Sequence, residues 1–164
     1  MSLPRRKTLE DRELVLNINV SDCRFAAVES RDYAVLDRML KTWRKNNRDL
    51  GLTGALLLCD GSFVHVLEGT PNGVKKMRAR VVADPLHTNV RNLREQACIK
   101  RRFSNWPLAY VGPSRWVQRA LKNHELASMG SETPAEGEFL VDLILSFVGE
   151  DPGAATELSL PAWV

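Results

Sequence analysis

The chain has 164 residues, 44% of them hydrophobic and 26% charged, with a formal net charge of +3. That is enough for one ordinary domain plus an appendage, able to bury a core without disulfides or metals. Acidic and basic residues interleave, which gives nucleic-acid binding no support. No apolar run approaches the ~20 residues needed to span a bilayer, so no membrane partner is expected. The opening MSLPRRKTLEDREL lacks the apolar stretch of a secretory signal. The three cysteines, Cys23, Cys59 and Cys98, are odd in number and too far apart for a metal motif. A cytoplasmic protein with reduced, mostly buried thiols and no metal is expected.

Leu14 to Val20 alternates Leu14, Leu16, Ile18 and Val20 with Val15, Asn17 and Asn19, the period of a strand. From Asp32 to Arg48, Val35, Leu36, Met39, Leu40 and Trp43 line one face of a helix, whose C-terminal half is basic, as the dipole favours. Leu52 to Cys59, the turn dipeptide Asp60-Gly61, and Ser62 to Glu68 with Phe63, His65 and Leu67 on one face predict a β-hairpin. Thr70-Pro71 is a cap followed by proline at the first helical position. The stripe Val74, Met77, Val81 and Val82 predicts a second helix, ended by Asp84-Pro85. Val90 to Ile99 and Trp106 to Val111 are further strand candidates. Ser114 to Ala127 and Phe139 to Val148 are helix candidates, the latter with Phe139, Leu140, Leu143, Ile144 and Phe147 inward, and Met129 to Gly137 is a linker between them.

The order βαββαββ predicts an α+β, ferredoxin-like architecture with two helices on one face of a mixed sheet, plus C-terminal helices. The expected divisions are an N-terminal extension (1–12), the main domain (13–112), a helical appendage (113–149) and a tail (150–164). Two helices on one face leave a slot into which a flat ligand can slide. Asn46 and Asn47 end the first helix, where an amide offers a donor and an acceptor to a uracil-like edge, or simply caps the helix. His65 projects from the hairpin on the Phe63 and Leu67 face, as a working group or a core histidine. The basic clusters Lys100-Arg101-Arg102 and Arg44-Lys45 are expected on solvated surface. There is no Ser/His/Asp order, carboxylate pair, phosphate-cradling glycine loop or metal spacing, so an enzyme is not expected.

The run RKNNRDLGLTGALLLCDGSFVHVLEG (Arg44 to Gly69) resembles the core of the BLUF family of flavin-binding blue-light sensors. Asn46-Asn47, Leu52-Thr53-Gly54, Phe63 through Gly69, Asp84-Pro85-Leu86-His87 and Arg101 through Leu108, with Phe103 and Trp106, follow the family's order, so the resemblance spans about Leu14 to Val111. It implies FAD as cofactor, Asn47 on the flavin ring, and Arg80 and Asp84 on the ribityl and phosphate side. Asn46, His65 and His87 complete the implied site. Arg80 is otherwise a surface helix residue, and Asp84 a helix terminator. The family's light response resembles a relay from a tyrosine on strand one through a glutamine on the hairpin. Here Asn19 stands at the tyrosine position and His65 at the glutamine position. Asparagine lacks an oxidisable phenol, so the usual photocycle is expected to be impaired or absent, unless Tyr33 or Tyr110 supplies one. Leu86, where the family has arginine, removes a phosphate contact and weakens FAD. Two uses follow: a flavin-binding sensory or regulatory domain, and a flavin-free platform for an unknown protein partner or a second copy in a homodimer.

Overall fold

The computed structural model describes residues 13–24, 33–59, 61–112 and 134–148. In chain order the elements are β1 (Leu14–Cys23), α1 (Tyr33–Asp49), β2 (Thr53–Cys59), β3 (Ser62–Gly69), α2 (Pro71–Ala83), β4 (His87–Cys98), β5 (Ala109–Val111) and α3 (Pro134–Val148). They form one five-stranded sheet in the order β4-β1-β3-β2-β5. All pairs are antiparallel except β2 with β5. This is the expected ferredoxin-like α+β arrangement with one strand added at the β2 edge.

Successive side chains of a strand point to opposite faces, and the sheet uses the two faces differently. One face carries Leu16, Ile18 and Val20 of β1, Ala55 and Leu57 of β2, and Val64 and Val66 of β3. Leu140, Val141, Ile144 and Val148 of α3 pack on it, with Phe103 and Trp106 beside them. The other face carries α1 and α2 over two separate apolar clusters. Leu40 of α1 packs with Leu56, Leu58, Phe63, Leu108 and Tyr110, with Leu36 and Trp43 at the margin. Val74, Met77 and Val81 of α2 pack with Leu52 and Leu67.

Local chemistry sets the joints. Thr70 caps α2, its hydroxyl accepting from the Gly73 N–H at 3.2 Å, with Pro71 next. At Gly54, whose N–H donates to the Trp106 carbonyl at 3.0 Å, a Cβ would overlap the Val66 carbonyl oxygen. Only glycine lets β2 and β3 approach there.

The structure also departs from the expected boundaries. β1 continues to Cys23 and β4 begins at His87, because these ends pair with one another in register. The predicted Trp106 strand shrinks to Ala109–Val111, the Pro107 and Leu108 carbonyls going to the Asn47 and Arg44 side chains. The predicted linker to Gly137 is overturned from Pro134 onward, where α3 begins. The α3 stripe takes in Val141 and Val148 beside the expected Leu140 and Ile144, with Phe139 and Phe147 partly buried against it and Leu143 outside it, and Val82, expected inside, is 65% exposed. One helical step beyond buried Val81 turns that side chain outward. Among the cysteines, Cys59 is buried and Cys23 and Cys98 are half-buried. The predicted helix at Ser114 to Ala127, the 1–12 extension and the 150–164 tail lie outside the described residues. Among those described, no helix is long and apolar enough to cross a membrane.

Candidate functional site

Between the α1 and α2 clusters the floor of the sheet is polar. Asn17, Asn19 and Ser21 occupy successive positions on the helix-bearing face of β1 and are at most 3% exposed. His65 lies between Phe63, which belongs to the α1 cluster, and Leu67, which belongs to the α2 cluster. In the β1–β3 register Asn19 is the direct partner of His65. Burying such groups is costly unless they are hydrogen-bonded, and the floor is only partly satisfied.

At one end, the Ser21 hydroxyl and the His87 Nδ1 lie 2.7 Å apart. The His87 ring is 4.7 Å from that of Phe63, and the Trp43 ring meets Phe63 edge-on at 6.2 Å. At the other end, Asn17 Nδ2 donates to Asn92 Oδ1 and to Glu95 Oε2, each at 2.8 Å, and Glu95 pairs with Arg78 of α2 at 3.5 Å. Asn19 Nδ2 donates to Asn17 Oδ1 at 2.6 Å. In the middle, Asn19 Oδ1 and both ring nitrogens of His65 are buried without a hydrogen-bond partner. Burial, then the neighbouring His87, holds the His65 pKa down to about 3, so its ring is neutral. Burial also lowers His87, against the pull of Asp84. A neutral imidazole offers one donor and one acceptor. The floor can therefore serve a polar ligand edge lying between the two helices.

The segment between β4 and β5 is fastened from two sides. Arg44 Nε of α1 donates to the Leu108 carbonyl at 3.0 Å, and Asn47 Nδ2 to the Pro107 carbonyl at 2.6 Å. From β3, the fully buried Glu68 carboxylate accepts from the Arg102 and Phe103 amides at 2.7 and 3.0 Å, and from the Thr53 hydroxyl at 3.1 Å. Arg101 returns bonds to the Gly51 and Glu68 carbonyls, both 2.8 Å. Arg102 reaches Glu138 and Asp142 of α3. Arg44, Arg101 and Arg102, expected on solvated surface, are thus structural clamps.

Comparison with known proteins decides the family. Residues 18–109 match the BLUF family, described as sensors of blue-light using FAD. The chain belongs to the BLUF family. The photoactivated adenylate cyclase subunit beta of Euglena gracilis is 32% identical over 93 residues, which are 57% of this chain and 10% of that protein. The chain thus spans about a tenth of the length of that relative. Among solved structures, the dark state of the BLUF protein BlrB superposes with a TM-score of 0.67 at 27% identity, over 82% of this chain and 96% of that one. The photo-activated state of BlsA shares the fold, with a TM-score of 0.68 at 20% identity, over 84% of this chain and 99% of that one.

Of the residues expected in the BLUF site, the structure brings His65, Asn19 and His87 to the floor between the helices. Asn47 is 1% exposed at the end of α1, but its amide is turned to Pro107; Asn46 beside it is half-buried. Arg80 lies exposed in the last turn of α2. It is near enough to Asp49 to help Lys45, whose hydrogen bond dominates, hold that carboxyl below its usual range. Asp84 Oδ1 accepts from the Leu86 N–H at 2.9 Å, closing the turn after α2. Tyr110 belongs to the α1 cluster on β5, and two strands separate it from β1, or ~14 Å at the usual strand spacing. The Tyr33 side chain lies outside the described residues. Sequence reasoning missed Ser21, which meets His87, and the chain that Asn17, Asn92 and Glu95 make behind Asn19. For Asn17 and Ser21 the only signal was the alternation of polar residues on β1, which a solvent-facing strand shares. Among the described residues no group of His, Cys, Asp or Glu is placed to hold a metal.

Proposed function

We propose that this BLUF domain binds FAD in the slot between α1 and α2 and acts as a sensory or regulatory module, not an enzyme, with the family's usual light cycle absent. One observation carries the reading. Three buried polar atoms, Asn19 Oδ1 and the two His65 ring nitrogens, meet at the floor of the slot without partners, and leaving such atoms unpaired costs about 1–3 kcal/mol each. An isoalloxazine, apolar along one edge and rich in donors and acceptors along the other, fits a floor that is polar between two apolar clusters. When bound it supplies blue-light absorption and redox chemistry. Asn19, His65 and His87 would hold the ring, joined by Asn46 or Asn47 after an amide turn away from Pro107. Arg80 would serve the phosphates near the end of α2, with Asp84 on the ribityl side.

The light cycle is read as absent because neither Asn19 nor His65 can do what a tyrosine and glutamine do together. Asn19 has no phenol to give up an electron, and the His65 ring has no amide to rotate. A downstream protein or a second copy of the chain would then respond to flavin occupancy or redox state rather than to light.

Absorbance of the purified protein, before and after blue light, tests this. Flavin bands without a light-induced red shift are expected. No bands after FAD is added would leave a flavin-free partner-binding module, and a reversible red shift would refute the missing light cycle. Asn19→Tyr combined with His65→Gln is expected to restore a red shift. An unchanged spectrum in that variant would count against the placement of both residues.

A further inference from the structure

The floor of the slot distinguishes two kinds of hydrogen-bonding atom, and a carboxylate at the edge of the sheet sets which one Asn19 shows. Glu95 pairs with Arg78 and is an acceptor only, so the group Asn17 turns to it must be its NH2. Both hydrogens of that NH2 are engaged, one on Glu95 and one on Asn92. Asn17 therefore has only its carbonyl oxygen left for Asn19, and Asn19 must answer with its own NH2. The remaining atom of Asn19, the buried Oδ1, is left on the floor as an acceptor without a partner. Turning the Asn19 amide over would set two carbonyl oxygens against each other 2.6 Å apart. His65 is under no such constraint, since its unbonded neutral ring can change tautomer to suit a donor or an acceptor.

We propose that the slot binds reduced flavin more tightly than oxidised flavin, because the chain from Arg78 through Glu95 and Asn17 locks Asn19 with its carbonyl oxygen toward the ligand. This rests on the reading that the slot holds flavin. Oxidised isoalloxazine has a single ring N–H, whereas the reduced ring gains an N–H at N5. Where that added donor meets Asn19 Oδ1, an acceptor that cannot turn over rewards it, while His65 accommodates either form. Asn19 is thus a specificity-determining residue, and Asn17 and Glu95 are positioning residues that act through it.

The test is the midpoint potential of FAD on the full chain, measured by equilibration with a reference dye beside free FAD in the same buffer. Tenfold tighter binding of the reduced form raises the potential of this two-electron couple by about 30 mV, and a rise of roughly that size is expected. Asn19→Leu should abolish it. Glu95→Gln should diminish it at unchanged melting temperature, because a glutamine amide lets the whole chain reverse; this variant still reports if Asn19→Leu loses its flavin or fails to fold. A bound potential at or below that of free FAD overturns the proposal and leaves flavin binding intact. So does a rise that survives both substitutions. If no flavin binds at all, the proposed function falls, and this inference with it.

Discussion

On the α3 side of the sheet, Leu16, Ile18, Val20, Val64 and Val66 meet Leu140, Val141, Ile144 and Val148. On the opposite side the same strands bring Asn17, Asn19, Ser21 and His65 into equal burial, where only some of their polar atoms find partners. Each aliphatic side chain on the first face contributes about 1.5–3 kcal/mol by leaving water. Each unpaired polar atom on the second costs a similar amount. Stability is concentrated on one face, and unmet hydrogen-bonding capacity on the other. A strand can serve both because its side chains alternate.

The contrast is sharpest in a pair of substitutions. Ile144→Ala should open a cavity under α3 and cost about 3 kcal/mol, read as a fall in the urea midpoint. His65→Leu in flavin-free protein should leave that midpoint unchanged or raise it, since two unpaired nitrogens give way to an apolar group. Equal losses in the two variants would break the comparison. Next in size is Glu68→Gln, which leaves the Arg102 and Phe103 amides to share one acceptor and should cost roughly 2 kcal/mol, again by urea unfolding.

The polar face should also respond to acid where the apolar face cannot. An unfolded chain protonates His65 near the ordinary 6.5, whereas the folded one refuses the proton until about pH 3. Stability is therefore full above pH 6.5 and declines as pH falls toward 3, with roughly 2 kcal/mol lost between pH 6.5 and 5. Burial of His87 acts in the same direction. Unfolding of the flavin-free protein at pH 7 and pH 5 checks this, and His65→Leu should flatten most of the slope. The smallest effect belongs to the rim of the apolar face. Glu138 pairs with Arg94 and Arg102 at 3.2 and 3.0 Å but is half exposed. Glu138→Gln should cost less than about 1 kcal/mol, and adding salt should shrink even that.

The helix-bearing face was legible in sequence where it is apolar. Leu36, Leu40 and Trp43, like Val74, Met77 and Val81, recur at helical spacing, and Phe63, His65 and Leu67 recur at strand spacing. His65, Asn19 and His87 were named together by the resemblance, and the fold brings all three to the floor. The interior position of Asn17 and Ser21 was not legible, because alternating polar residues on a first strand read as a solvent-facing edge. They are buried because β3 and β4 pair on either side of β1 and two helices close above it, a fact of topology rather than of local pattern. The start of α3 was missed for a related reason. Gly137 looks like a breaker, yet a Cβ there would press on Arg94 Cδ at 2.8 Å, so glycine is what lets the helix lie close to the sheet. Pro134, also read as a breaker, stands at the first helical position, where proline is at home. The arginines at 101 and 102 were misread because charge alone does not reveal the carbonyls and carboxylates that the fold brings to them.

The bonds of Asn17 carry a consequence for how this sequence can drift. Aspartate at 17 would set a second carboxylate against Glu95, and leucine would strand the Asn19 amide, so neither position can change freely while the other stays as it is. Among chains descended from the same ancestor, a hydrogen-bond donor at position 17 should accompany an acid at position 95, and the two should be lost together. A collection of such relatives in which these positions vary independently would show that the link has no hold on the lineage.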